Sequence, residues 1–211
     1  MAKKQRVSLS DCGFDSAQLK QIKDWTDRLS RSLKPGRFAH SLSVADTAVR
    51  LSGIHGLDIL RAEQAGLLHD CAKCLSPEKM RRIAEENSLT DDEFILAEPG
   101  LLHSIVGAWV AEKTYGMTDS AVLQAIRYHN TGFPGMTRLD MCVCLADSIE
   151  PLRRSYPALE EVRKLAGSSL ERALLLSLET TADYVLSRGL YLHPRTMETI
   201  RWLRELPETA E

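Results

Sequence analysis

Six side chains in this sequence have types and an order suited to holding divalent metal ions: His40 in RFAHSLSV, the adjacent His69 and Asp70 in GLLHDCAK, His103 in LLHSIVGA, His129 in AIRYHNTG and Asp147 in LADSIEP. Each stands in an otherwise apolar or small-residue stretch, so a helical reading turns them toward the buried side. A buried carboxylate without a partner costs at least a few kcal/mol, and unpartnered buried imidazoles add to that cost. One or two cations would satisfy the whole set. Neutral imidazole combined with carboxylate suits iron, manganese, zinc or cobalt better than calcium or magnesium.

The spacing allows a division of labour. Neighbours in a helix diverge by about 100°, so His69 and Asp70 flank one point instead of sharing a direction. Asp70, with two oxygens, could bridge two ions. His40, His69 and Asp147 would then complete the first, and His103 and His129 the second. Two ions roughly 3.5–4 Å apart acidify a water between them for attack on phosphorus. Phosphate also needs donors outside the metal shell. Lys73 follows Asp70 by three residues, Asn130, Thr131 and Gly132 follow His129 with backbone N–H groups, and Arg153 lies beyond Asp147. Asp70 and Lys73 are the candidate catalytic groups.

Plainer readings stand beside these. A single histidine on an apolar helix face is usually a core residue bonded to a backbone carbonyl, and an isolated Lys or Arg such as Lys73 or Arg153 is usually solvated. The ordered set of six favours the metal reading. His55 in GIHGLD and His193 in LHPRT lie in turn-like surroundings and are expected at the surface or as caps. Cys71 and Cys74, with Cys142 and Cys144, offer a rival four-thiolate zinc site. That rival is the weaker reading, because Cys142 and Cys144 occupy an apolar run where small buried hydrophobes belong.

The elements that must position these groups read as helices throughout. Period-2 alternation is nearly absent, while Leu19, Ile22, Trp25, Leu29 and Val44, Ala48, Leu51 recur at helical spacing. Helix starts are expected at Asp15 or Ser16, at Ser76 before Pro77, and at capping boxes Thr90 to Glu93 and Ser168 to Glu171. Pro35-Gly36, Pro99-Gly100, the stretch from Asn130 to Gly135, Gly167 and Gly189 divide the chain into about nine or ten helices. The tail from Pro207 is expected to fray.

At 211 residues the chain is expected to form one compact all-α domain. A net charge of −2, spread along the length, gives no field to draw a nucleic-acid polymer or an anionic membrane. The basic start MAKKQRVSLSDCGF has no apolar core after it and no stretch approaches a spanning length, so a cytoplasmic protein is expected. Five cysteines without a secretion signal point to reduced thiols.

The order His, His-Asp, His, His, Asp resembles the HD-domain metal-dependent phosphohydrolase superfamily. The resemblance implies a helical core over 37–151, an N-terminal helical extension over 1–36 and C-terminal helices over 152–211 packed on the core. GLLHDCAK, LLHSIVGAWVA, AIRYHNTGFPGMTRLD, LADSIEPLRR and GLYLHPRT together are similar to the bacterial HD-domain bis(5′-nucleosyl)-tetraphosphatase (symmetrical) family. That likeness implies cleavage of diadenosine tetraphosphate and related dinucleotides into two nucleoside diphosphates, at a di-iron-type centre. It places His40, His69, Asp70, His103, His129 and Asp147 at the ligand positions, and Lys73, Thr131, Gly132 and Arg153 near the phosphates. Manganese, cobalt or zinc suit the same donors. The expected partner is a dinucleoside polyphosphate or a nucleotide; a homodimer stays open. Hydrolysis of mononucleotides or other phosphate esters is the alternative within the fold. Cys71 and Cys74 depart from the family pattern, where an aromatic or small residue is expected.

Overall fold

The structure, a computed structural model, describes residues 9–207. The expected fraying beyond Pro207 therefore falls on 208–211, outside the described residues. Eleven α-helices and two short 3-10 turns account for the regular structure, with no strand among the described residues. That is one helix more than the sequence breaks predict. The surplus comes from pieces such as α5 (Glu93–Ala97), too short to display a period.

Apolar stripes become helix faces as read. In α1 (Ser16–Ser32) Ile22, Trp25 and Leu29 are buried, and the Trp25 indole donates to the Tyr115 carbonyl at 2.8 Å, tying the helix to the body. The pair at the heart of the fold is α2 (Pro35–His55) and α3 (Ile59–Leu68), joined by a tight turn at left-handed Gly56. Their backbones come together at Gly66, where a Cβ would lie 2.8 Å from the Ala45 Cα, so only glycine permits this approach. After α3 the chain tightens into a 3-10 turn, Cys71–Cys74, then continues through α4 (Pro77–Glu86) and α5 into α6 (Pro99–Lys113).

Helix α7 (Ser120–Tyr128) lies along α6, α3 and α8 (Arg138–Ile149), while α8 also packs on α2 and α10 (Leu170–Ser187). Helices α9 (Leu159–Leu165) and α11 (Pro194–Glu205) close over α10. One buried cluster is centred on α1, α3, α6 and α7, and a second on α8, α10 and α11. Among the described residues no helix is long and apolar enough to cross a membrane.

The caps sort the sequence signals. Asp15 caps α1 with a full capping box, and Ser76 caps α4 with Pro77 in the first turn, as expected. The two other boxes are displaced by one or two residues. Asp92, not Thr90, accepts from the Phe94 and Ile95 amides at α5, and Ser169, not Ser168, caps α10. In both places a neighbouring side chain of equal capping ability reaches the free amides first. Pro35 and Pro99, read as breaks, occupy the first turns of α2 and α6, where a missing N–H costs nothing.

Candidate metal centre

The six residues meet where α2, α6 and α8 converge on the C-terminal ends of α3 and α7. His40 and His103 project from the interiors of α2 and α6, Asp147 from α8, while His69 and His129 are the C-cap residues of α3 and α7. Asp70 opens the 3-10 turn. His69 and Asp70 are almost wholly buried, as are His103 and His129, and Asp147 keeps 20% of its side chain exposed.

The distances bring the six side chains into one cluster. His40 Nε2 stands 3.0 Å from Asp147 Oδ1 and 3.3 Å from His69 Nε2. Asp70 turns its Oδ2 toward His69 at 3.5 Å and its Oδ1 toward His103 at 3.2 Å, so its two oxygens serve two sets of imidazoles. His103 Nε2 and His129 Nε2 are 3.1 Å apart. His40, His69 and Asp147 offer ligand atoms within 4.8 Å of one another, and so do His69, Asp70 and His129. The second triad draws on His69 where the sequence division gave it to the first set alone.

Proton positions test whether a cation fits. A carbonyl only accepts, so His69 donates from Nδ1 to Gly66 O at 2.7 Å and His129 donates from Nδ1 to Ile126 O at 2.8 Å. In a neutral ring the Nε2 of each is then a bare lone pair aimed into the cluster. Burial, reinforced by His69 and His103, pushes His129 down to about 3, which keeps that ring neutral. Burial likewise lowers His103, against the pull of Asp70, and its buried Nδ1 has no hydrogen-bond partner among the described residues. Asp70 stays ionised despite burial because His69 and His103 stabilise its charge, and Asp147 does so through His40. Bare nitrogen lone pairs beside two ionised carboxylates form a set that divalent transition metals fill.

Two charged groups join the centre that the sequence reading did not single out. Arg37, one turn before His40, places a guanidinium nitrogen 2.7 Å from Asp70 Oδ2. Glu150, three residues after Asp147, is 1% exposed and holds His40 Nδ1 at 3.1 Å. Burial works to lower His40, yet the hydrogen bonds of Asp147 and Glu150 outweigh it and raise its pKa to about 9.

The proposed phosphate contacts separate. Lys73 is half-buried, its ammonium lowered first by burial and further by Arg37, against the pull of Asp70. Arg153 is exposed and reaches Asp147 at 3.4 Å. Asn130 donates its side-chain amide to the Gly100 carbonyl. The Thr131 hydroxyl donates to Gly132 O, and the Gly132 amide donates to Tyr128 O at 2.9 Å. The Gly132 N–H expected to face phosphate is therefore consumed closing α7. His193 is the N-cap of α11, accepting from the Arg195 amide and donating to Asp92 at 2.9 Å, a cap as expected but a buried one. His55 Nε2 donates to Ala166 O at 2.8 Å. The rival zinc site does not form: Cys71 and Cys142 donate to the Gly107 and Ala48 carbonyls, and no cysteine joins a ligand triad among the described residues.

A family model described as "HD domain" matches residues 37–152. A Bacillus subtilis protein named "Bis(5′-nucleosyl)-tetraphosphatase, symmetrical" is 35% identical over 175 residues, 83% of this chain and 93% of that protein. A Halalkalibacterium halodurans protein of the same name is 36% identical over 167 residues, 79% of this chain and 88% of its own length. A Clostridium acetobutylicum crystal structure, described as a predicted HD superfamily hydrolase involved in NAD metabolism, superposes with a TM-score of 0.79 at 38% identity. It covers 86% of this chain and 96% of that one.

Proposed function

The chain belongs to the HD domain family, and from that premise we propose that it is a metal-dependent hydrolase cleaving diadenosine tetraphosphate and related dinucleoside polyphosphates symmetrically into two nucleoside diphosphates. The observation that carries the metal reading is the pair of Nε2 lone pairs on His69 and His129, each freed by an Nδ1 bond to a backbone carbonyl and gathered with an oxygen of an ionised Asp70 within 4.8 Å of one another. The name shared by the Bacillus and Halalkalibacterium relatives supports the reaction.

His40, His69, Asp70, His103, His129 and Asp147 would hold two divalent transition-metal ions, iron in the cell. When bound, such ions polarise phosphate oxygens and lower the pKa of a water nucleophile. The chain's own groups orient the rest. Lys73, in the turn that Asp70 opens, and Arg153, beside Asp147, would meet the charge of the polyphosphate. A site that grips two phosphates of one half presents the β phosphorus for attack. Water oxygen then bonds to that phosphorus, the central P–O bond breaks, and the bridging oxygen leaves with the second nucleoside diphosphate. In the same reading 37–151 is the catalytic core, flanked by 1–36 and 152–211, and the protein works in the cytoplasm on nucleotides, not on nucleic-acid polymers.

Product identification tests the proposal. Diadenosine tetraphosphate should give ADP alone, and labelled water should leave its label on a β phosphate. Equal amounts of AMP and ATP would refute symmetrical cleavage, and turnover of mononucleotides only would transfer the assignment to the phosphate-ester alternative.

A further inference from the structure

A ligand imidazole must surrender its second nitrogen to some acceptor if its Nε2 is to face a metal, and the four histidines of the cluster meet that need differently. His69 and His129 stand at helix C-termini, where the last carbonyls lack intrahelical partners, and each uses one: Gly66 O and Ile126 O. His40 and His103 lie inside α2 and α6, where the carbonyls of the preceding turn are already engaged. His103 Nδ1 accordingly has no partner among the described residues. His40 Nδ1 has Glu150, brought in from another helix at 3.1 Å.

The carboxylate sits where burial and the helix end both disfavour it. Glu150 is 1% exposed, and it caps the C-terminus of α8, where the helix dipole disfavours negative charge. Its position is nonetheless fixed from several sides. Oε2 accepts from the Leu152 amide at 2.6 Å, and its carbonyl accepts from the Arg153 amide and the Arg163 guanidinium, each at 3.0 Å. The carboxylate is thus held rigidly against one ring nitrogen.

Resting on the metal reading above, we infer that Glu150 is the positioning residue of the first ion's site: by holding the proton on His40 Nδ1 it leaves Nε2 as the nitrogen that gives up its proton to a bound ion, and it strengthens that ring as a ligand. A neutral carbonyl fixes orientation for His69 and His129; a carboxylate adds charge to the donor as well. His103, unanchored, is the internal contrast.

The test uses zinc as the probe, without nucleotide. Zinc titrations of the full chain against a competing chelator should resolve two ions, and Glu150→Gln should weaken one of them by about ten- to a hundredfold, leaving the other within about twofold. In the zinc-loaded protein a low-field imidazole N–H proton signal, absent in His40→Ala, should disappear in Glu150→Gln. Unchanged affinities together with a retained signal would overturn the inference even if the variant were less heat-stable. Should Glu150→Gln fail to fold, Glu150→Asp keeps the charge but falls a methylene short, and the same two measurements decide. A wild-type chain that binds no zinc would instead remove the metal reading, and the role of Glu150 with it.

Discussion

Arg37 and Asp70 form an ion pair of 2.7 Å at the edge of the cluster, the arginine 40% exposed and the aspartate almost wholly buried. Asp70 Oδ2 therefore has a fixed donor on one side while His69 and His40 face the same oxygen at 3.5 and 3.8 Å. A guanidinium has five N–H groups, and one contact leaves others to face incoming phosphate. Arg37→Ala should lower kcat/KM for diadenosine tetraphosphate by about tenfold, equivalent to ~1.4 kcal/mol. Arg37→Lys should recover only part of it, because a point charge cannot serve two oxygens in fixed geometry. Steady-state kinetics on the two variants checks this, with zinc content as the control.

Asp70 faces His69 through one carboxylate oxygen and His103 through the other. Protein purified without chelator should carry about two transition-metal ions per chain. Asp70→Ala should lose at least one of them and lower kcat by about a thousandfold or more, on the order of 4 kcal/mol. Metal analysis beside turnover decides. Full activity in protein free of transition metal would end the two-ion reading.

Gly132 carries a stability prediction in place of the phosphate role first read for it. Its φ is +62°, and an added Cβ would lie 2.7 Å from Thr199 Cγ2 and 3.1 Å from Met136 Sδ. Left-handed strain and overpacking should together make Gly132→Ala about 2 kcal/mol or more less stable. For a chain of this size each kcal/mol lowers Tm by roughly 2–4 °C. Calorimetry of the metal-free variant measures the loss.

Asp92 should contribute to stability in a pH-dependent way. Burial works to raise its pKa, but the His193 contact and the Ile95 and Phe94 amides outweigh this and hold it below the usual carboxylate range. A carboxyl depressed on folding stabilises fully above its unfolded value near 4 and ceases to as pH falls through the folded one. Asp92→Ala should cost about 1 kcal/mol at neutral pH as a lost cap. The difference from wild type should shrink below about pH 4. Denaturant unfolding at a series of pH values reads it directly.

Much of the site was legible because its members break the local pattern. His and Asp amid Leu, Val and Ala stand out, and a helical reading was enough to turn them inward. Arg37 and Glu150 escaped because charge near a helix end is ordinary. A signal was nonetheless present: Arg37 precedes His40 by three residues and Glu150 follows Asp147 by three, spacings that share a helix face. Gly132 was misread for another reason. Which amides a closing helix consumes depends on where α7 ends, and sequence periodicity locates ends only to within a few residues.

Lys73 and Arg153 share a proposed role but differ in setting, and that difference is measurable. Lys73 is half-buried in the turn beside Asp70, where water screens its charge poorly. Arg153 is 41% exposed and touches Asp147 at only 3.4 Å, so solvent and salt attenuate its effect. Lys73→Ala should reduce kcat/KM by about ten- to a hundredfold, or ~1.4–2.7 kcal/mol, and the loss should persist at high ionic strength. Arg153→Ala should cost less than about tenfold at low salt and still less near 0.5 M, as screening replaces the missing cation. Metal content should remain intact in both variants, since neither side chain is a ligand. If both leave kcat/KM within about twofold, less than ~0.5 kcal/mol, the polyphosphate is held by the metals and Arg37 without them.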